Sequence, residues 1–267
     1  MSSWPIHVFN MELRRTLTYR ADFWVNFIGQ TLFSIVIAYF LWSSIFETLN
    51  VQTLNGFTME RMIVYYLLVP LVFRIQQGQT IGSISREIYE GSLNKFLLYP
   101  INFYGFKIIT HFAGAVFYYA QIFVIIGLYQ VFADNPIFEM SFLKLFYFTI
   151  AMLGISIAYF CLNSLSELVA FWADYIWSLG VIIRFAVSFM GGALIPLSFF
   201  PEWSMKILNL TPFPYMISFP MKILLEEVAL KEFFLNMTIL ALWTLVFLFF
   251  SRVLWNKGRY RYTGVGI

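Results

Sequence analysis

Charge, cysteine and histidine are all scarce in this sequence, and each scarcity removes a class of answer. Only 12% of its 267 residues are charged, about half the share a soluble domain of this length carries. The single cysteine, Cys161, excludes an intramolecular disulfide, and its place in an apolar run reads as a packed, inert thiol. His7 and His111 are the only histidines, and no spacing of Asp or Glu suggests a set of metal ligands. A formal charge of +3 is too small to point to nucleic acid. No Gly-x-x-x-x-Gly-Lys-Ser/Thr stretch occurs, so the chain does not cradle a triphosphate by that means. Residues 1–20 lack an apolar core ending in a small-residue cleavage site, so no secretory leader is expected.

What the sequence has instead is apolar length. It is 60% hydrophobic and 21% aromatic, with a mean hydropathy of +0.76. A hydrocarbon layer about 30 Å thick needs about 20 apolar residues of helix, and several runs reach that length. Backbone groups in lipid must be satisfied internally, and these runs do not alternate as barrel strands do. The expected class is an all-α polytopic membrane protein forming a single domain over residues 1–267. Six spans are expected, at roughly 23–46, 60–82, 103–132, 142–166, 172–199 and 232–255.

Orientation follows from the flanking cations. With both termini cytoplasmic, Arg14, Arg15, Arg20, Arg86, Lys95, Lys107, Arg252, Lys257, Arg259 and Arg261 lie inside. They outnumber the outside set of Arg61, Lys144, Lys206, Lys222 and Lys231. Residues 1–22 form no span. Trp4, Val8, Met11, Leu13 and Leu17 line one side of a helix beside Arg14, Arg15 and Arg20, a pattern that suits a helix lying in the membrane interface. An ordinary cytoplasmic lead-in is the alternative.

Between the second and third spans stands "ISREIYEGSLNKFLLYP", residues 84–100. Ile84 and Ile88 share a helical face, and Arg86 and Glu90 are spaced to pair, so the second span is expected to continue through them. Gly91 then breaks the helix, Ser92 is a candidate N-cap, and Pro100 disfavours helix at Tyr99. The resulting short helix, 93–99, is about two turns long, too short to stand alone. Leu93, Phe96 and Leu97 share its apolar face. Either the membrane surface, the rest of the chain or a partner's groove must hold it.

"EGSLNKFLLYP" resembles the cytoplasmic Glu-x-Gly-x-Leu…Leu-x-x-Pro signature of type-2 ABC exporter permeases. Downstream, "GGALIPLSFFPEWSMKILNLTPFPYM" resembles that family's fifth span and re-entrant extracellular hairpin, through Gly192, Pro196, Phe200, Pro201, Trp203, Pro212 and Tyr215. "LTYRADFWVNFIG" is similar to the start of a bacterial branch of comparable length, so the resemblance covers nearly the whole chain. It implies that region 83–101 carries the coupling helix, seated in a cleft of a separate cytoplasmic ATPase subunit. Leu93, Phe96 and Leu97 would insert there, Glu90 and Lys95 would make polar contacts, and Gly91, Ser92 and Pro100 would shape the bend. The hairpin at 200–222 would cap the outer exit. A bacterial inner-membrane location is implied, with two ATPase subunits that bind ATP and Mg and a second permease, identical or paralogous. No cofactor is expected in this chain, its remaining contacts being membrane lipids.

Charges inside spans cost about 2.5–3.5 kcal/mol each on insertion scales and need a reason. Arg74, with Gln76, Gln77, Gln79 and Thr80 following, makes a polar half-helix, and Arg184 lies within the fifth span. Two readings stand: a translocation pathway lined by Arg74, Gln76, Gln77 and Arg184, or inter-helix bonds that fix packing. Glu167 and Asp174 flank the turn between the fourth and fifth spans, where they are placed to pair with basic groups. Tyr118, Tyr119, Trp172 and Trp177 suit a groove for an amphiphile or ordinary packing and interfacial belts. Pro70 implies a kink, and Gly191 with Gly192 a close helix approach. The expected function is the permease of an ATP-driven exporter of an amphiphilic or lipid-like substrate. An ATP-independent transporter or channel using Arg74 and the glutamines is the alternative.

Overall fold

A computed structural model describes residues 4–18, 20–78, 82–98, 101–133 and 136–264. Among them the chain is mostly helical, joined by turns and irregular segments, with one two-residue bridge between Leu54 and Phe57. The long helices are α1 (Trp4–Thr18), α2 (Arg20–Leu49), α3 (Met59–Gln77), α6 (Phe103–Phe132), α7 (Phe142–Glu167), α8 (Trp177–Met190) and α12 (Leu230–Gly258). Short helices fill the connections: α4 (Ser83–Tyr89), α5 (Asn94–Leu98), α9 (Glu202–Leu208), α10 (Phe213–Met216) and α11 (Ser218–Leu225).

The helix starts follow local chemistry. Asn102 caps α6 by accepting from the Gly105 amide at 2.8 Å, Ser141 caps α7 through Lys144, and Thr58 caps α3 through Arg61. Each side-chain oxygen takes up an amide that the first helical turn leaves unpaired. Of the six expected spans, α2, α6, α7 and α12 are long and apolar enough to cross a membrane. The other two are shorter than expected. α8 has 14 residues, about 21 Å of rise, because the chain turns at Gly191 and Gly192, where φ at Gly192 is +95°.

The second span departs from expectation in a way that matters later. It does not run on into the Ile84 segment: α3 ends at Gln77 and a separate α4 begins at Ser83. Gly78 and Gly82 flank the break with φ of 57° and 78°, in the left-handed region that glycine enters without steric cost. A Cβ at Gly78 would lie 2.7 Å from Nδ1 of His111, so glycine also allows α6 to approach here.

α3 and α7 form the centre of the bundle. α3 packs against α2, α6, α7 and α11, and α7 against α12, α3, α11 and α8. Leu68, Leu71, Val72 and Ile75 meet Phe148, Met152, Ile155 and Tyr159 in the main core. A smaller core of Ala38, Trp42, Phe46 and Met62 fastens α2 to α3. The outer faces of α2 and α12 stay apolar and exposed, as at Phe33, Phe40, Leu245 and Phe249. α1 lies against α6, with the ring of Trp4 beside Gly105. Met11 and Leu17 are exposed.

Candidate functional site

Two parts of the molecule combine anchored backbone with exposed or polar side chains. The first is the elbow of α4 and α5, at the end of the bundle where α6 begins and α12 finishes. α4 stops after Tyr89, and Gly91 turns the chain with φ of 70°. α5 follows from Asn94, held by a second hydrophobic cluster in which Ile84, Ile88, Leu93, Phe103, Leu168 and Phe171 are buried together. Leu93 is fully buried within its own chain. Phe96 sits edge-on to Phe103 and tilted over Phe106, with ring centroids 5.1 Å apart in both pairs. Elements far apart in sequence thus anchor a helix too short to stand alone.

Ion pairs and hydrogen bonds add further ties. Glu87 pairs with Lys107 of α6 at 2.9 Å and with Lys95 of α5 at 3.5 Å. The Lys107 ammonium also lies over the rings of Phe96 and Phe103. The Glu167 carboxylate at the end of α7 accepts from the amides of Gly82, Ile84 and Ser85 at 2.7–3.2 Å. Asn94 donates to the Gly264 carbonyl at 3.1 Å, bringing the last described residue onto α5.

What faces outward on the elbow is a narrow exposed strip. Glu90, Asn94 and Lys95 are exposed, and Leu98 is 83% exposed. Of the sequence-predicted residues, Glu90 and Lys95 face outward, Gly91 and Ser92 form the bend, and Leu93 and Phe96 face inward. The Leu97 side chain and Pro100 lie outside the described residues. Sequence reasoning missed Leu98, although its neighbour on an apolar pair, Leu97, was chosen. It also missed Glu167 as an anchor of this elbow. Glu167 closes an apolar span whose loop holds no basic residue, yet nothing local in the sequence marks the amides of Gly82, Ile84 and Ser85 as its partners. Beside the strip, a polar cavity of about 400 Å³ separates α1 from the elbow, lined by Glu12, Arg15, Arg86, Glu87 and Lys107 among others.

The second part lies at the opposite end, in the α8–α11 hairpin. Gly191 and Gly192 present their carbonyls to Ser218 Oγ at 2.9 Å and to the Tyr65 hydroxyl at 2.7 Å. Tyr66 reaches the Leu194 carbonyl at 2.7 Å. Pro196 and Pro212 are buried and Pro201 is exposed where α9 begins. Trp203 is 68% exposed, and Tyr215, buried, donates to the Asn209 carbonyl at 2.8 Å. Arg61 and Glu226 pair at 2.6 Å across a cavity of about 210 Å³ between α3 and α11.

The intramembrane candidates are not gathered at either end. Arg74 donates to the Asn26 carbonyl and to Gln30, binding α3 to α2. Gln76 is fully buried, and its amide has no partner among the described residues. Gln77 and Arg184 are half-buried, while Gln79 and Thr80 fall outside the described residues.

A family model described as ABC-2 family transporter protein matches residues 32–266. No curated protein and no solved structure matches the chain.

Proposed function

The chain belongs to the ABC-2 transporter family, the membrane permeases that work with ABC ATPase subunits, and from that premise we propose that it is the permease of a bacterial inner-membrane exporter whose α5 is the coupling helix. The observation that carries the reading is the exposed strip of Glu90, Asn94, Lys95 and Leu98 on an elbow whose other faces are fixed to its own chain. An apolar side chain exposed beside charges, on rigid backbone, suits insertion into a partner's cleft. Leu93 and Phe96 then serve as the root of the handle, with Leu98 at its tip and Glu90 and Lys95 as polar contacts.

In this reading six segments cross the membrane, α3 and α8 being the two short ones, and both termini are cytoplasmic. α1 lies in the cytoplasmic interface with Met11 and Leu17 toward lipid. Two permeases, identical or paralogous, stand over two ATPases that supply the ATP and Mg site. Closure of the ATPases pushes the elbow, and the hairpin around Trp203 and Tyr215 caps the outer exit. The exposed aromatic and aliphatic surface favours an amphiphilic substrate. Arg74, bonded to α2, supports the packing role over a pathway role for that residue and weakens an ATP-independent channel built on it.

Affinity purification of the tagged protein in mild detergent, followed by an ATP hydrolysis assay, tests this. A Walker-motif ATPase is expected to co-purify. Leu98→Asp is expected to weaken its capture by about tenfold, some 1.4 kcal/mol, without lowering the yield of folded permease. A lone oligomer indifferent to ATP would overturn the assignment.

A further inference from the structure

α4 is a separate helix from the one that precedes it and is fastened to one that follows much later. Gly78 and Gly82 both sit at positive φ around the break between α3 and α4, where backbone without Cβ turns most freely. The fastening is Glu167, 4% exposed at the end of α7. One carboxylate oxygen accepts the Gly82 amide at 2.8 Å, and the other accepts those of Ile84 at 2.7 Å and Ser85 at 3.2 Å. Asn163, one turn earlier on α7, donates its amide to the same carboxylate.

The N-cap position of α4 is a glycine with no side chain to offer, and the Lys107 ammonium meets this end at the Ser83 carbonyl rather than at an amide, 3.4 Å away. The first amides of α4 depend on an acid from another helix, through bonds of the charge-assisted kind. The far end of α4 is tied to the same region. The Tyr89 hydroxyl donates to the Ala173 carbonyl at 3.0 Å, just beyond the 3-10 turn that extends α7. Both ends of α4 are thus tied to the end of α7. α7 in turn packs on α12, α3 and α11, so displacing it reaches most of the bundle.

We infer that Glu167 is a positioning residue through which displacement of the elbow passes into the membrane, driving α7 directly, beside the separate tie that Glu87 and Lys107 make to α6. The inference rests on the coupling role proposed for α5. Glu167 touches neither nucleotide nor substrate; it holds α4.

Two measurements test it. In the first, hydrogen–deuterium exchange is followed on the full-length permease in nanodiscs. Glu167→Ala is expected to raise exchange across residues 82–89 by about tenfold and to leave 59–77 unchanged. Glu167→Gln, which keeps one carbonyl oxygen, is expected to restore part of the protection. The second uses nitroxide pairs in a Cys161→Ala background, in the complex with its ATPase. Labels at Arg86→Cys and Leu153→Cys report α4 against α7, and labels at Arg86→Cys and Glu60→Cys report α4 against α3. ATP is expected to change the α4–α3 distance and leave the α4–α7 distance fixed, and Glu167→Ala is expected to broaden the latter. Unchanged exchange at 82–89 in Glu167→Ala, or an α4–α3 distance that stays fixed while α4–α7 changes, would overturn the inference. Failure to recover any ATPase would instead strike the coupling role, and the exchange measurement would still decide whether Glu167 holds α4.

Discussion

The indole of Trp255 lies flat on the ring of Phe103, with centroids 4.9 Å apart and planes 10° from parallel. One residue closes α12 and the other opens α6, so the contact joins the last span to the root of the elbow. Tyr104 and Phe171 meet the same indole edge-on. Each ring pair is worth about 0.5–1.5 kcal/mol beyond its buried area. Trp255→Ala is therefore expected to cost about 2–4 kcal/mol, read as an earlier thermal unfolding of the purified protein, while Trp255→Phe keeps most of the stability.

Leu93 and Leu98 separate anchoring from docking. Leu93 is wholly enclosed by Ile84, Ile88 and Phe103 among others, and Leu98 is 83% exposed. Leu93→Asp puts a carboxylate among apolar side chains without a partner, a penalty of several kcal/mol. It is expected to abolish a monodisperse peak in size-exclusion chromatography. Leu98→Asp is expected to elute as wild type. Equal behaviour of the two variants would mean that the elbow is not anchored as described.

These two leucines also mark what the sequence could and could not yield. The long spans were legible because apolar length has few other uses, and α6 runs over the residues expected, Phe103–Phe132, between an asparagine cap and Ala133. The bend at Gly91 was legible because glycine in that setting has a single physical meaning. The face of Leu93, Phe96 and Leu97 was legible as apolar, but an apolar face reads the same whether its own chain or a partner covers it. The break at Gly78 and Gly82 was missed because Ile84 and Ile88 carry on the apolar pattern across it. Glu167 finds its amides 82–85 residues away in sequence, and no local pattern encodes a cap supplied from such a distance.

Glu87 and Lys107 form a nearly sealed pair, their side chains 12% and 5% exposed. Removing one member of a buried pair costs about 3–5 kcal/mol because the other charge is left without compensation. Glu87→Gln strands the ammonium of Lys107 against Phe96 and Phe103 and is expected to destabilise by about that amount. The double variant Glu87→Gln with Lys107→Met removes both charges and is expected to recover most of the loss. Denaturation of the four proteins of this double-mutant cycle in detergent gives the coupling directly. Simple additivity would show that the pair contributes nothing specific.

Glu12 makes stability pH-dependent in the less usual direction for a carboxylate. It is 3% exposed where α1 packs on α6. Burial raises its pKa above the ordinary 4.5, and the cations Arg15 and Lys107 only partly offset this. Folding therefore favours the protonated form. The stabilising share of Glu12 is full below its unfolded pKa and is lost as pH rises through the higher folded value. Glu12→Gln, always neutral, is expected to melt later than wild type at pH 7, with the gap closing as pH falls toward 4. A gap that widens on acidification would mean that the pairing with Arg15 outweighs burial.

Gly192 holds the hairpin's first turn, and its replacement separates backbone need from side-chain fit. Its φ of +95° is a region that L residues avoid, and a Cβ there would lie 2.6 Å from Ser218 Oγ and 3.3 Å from the Tyr65 hydroxyl. Those same two groups surround the turn by hydrogen bonds, Ser218 to the Gly191 carbonyl and Tyr65 to that of Gly192. Gly192→Ala thus adds strain of about 1–2 kcal/mol and pushes apart the groups that hold the turn closed. Trimming Ser218 to Ala relieves the clash but not the backbone strain. The expected order of thermal stability is wild type, then Gly192→Ala with Ser218→Ala, then Gly192→Ala alone. If the double variant is instead the least stable, the Ser218 bond matters more than the space its hydroxyl fills, and the turn is held by hydrogen bonding before it is held by glycine.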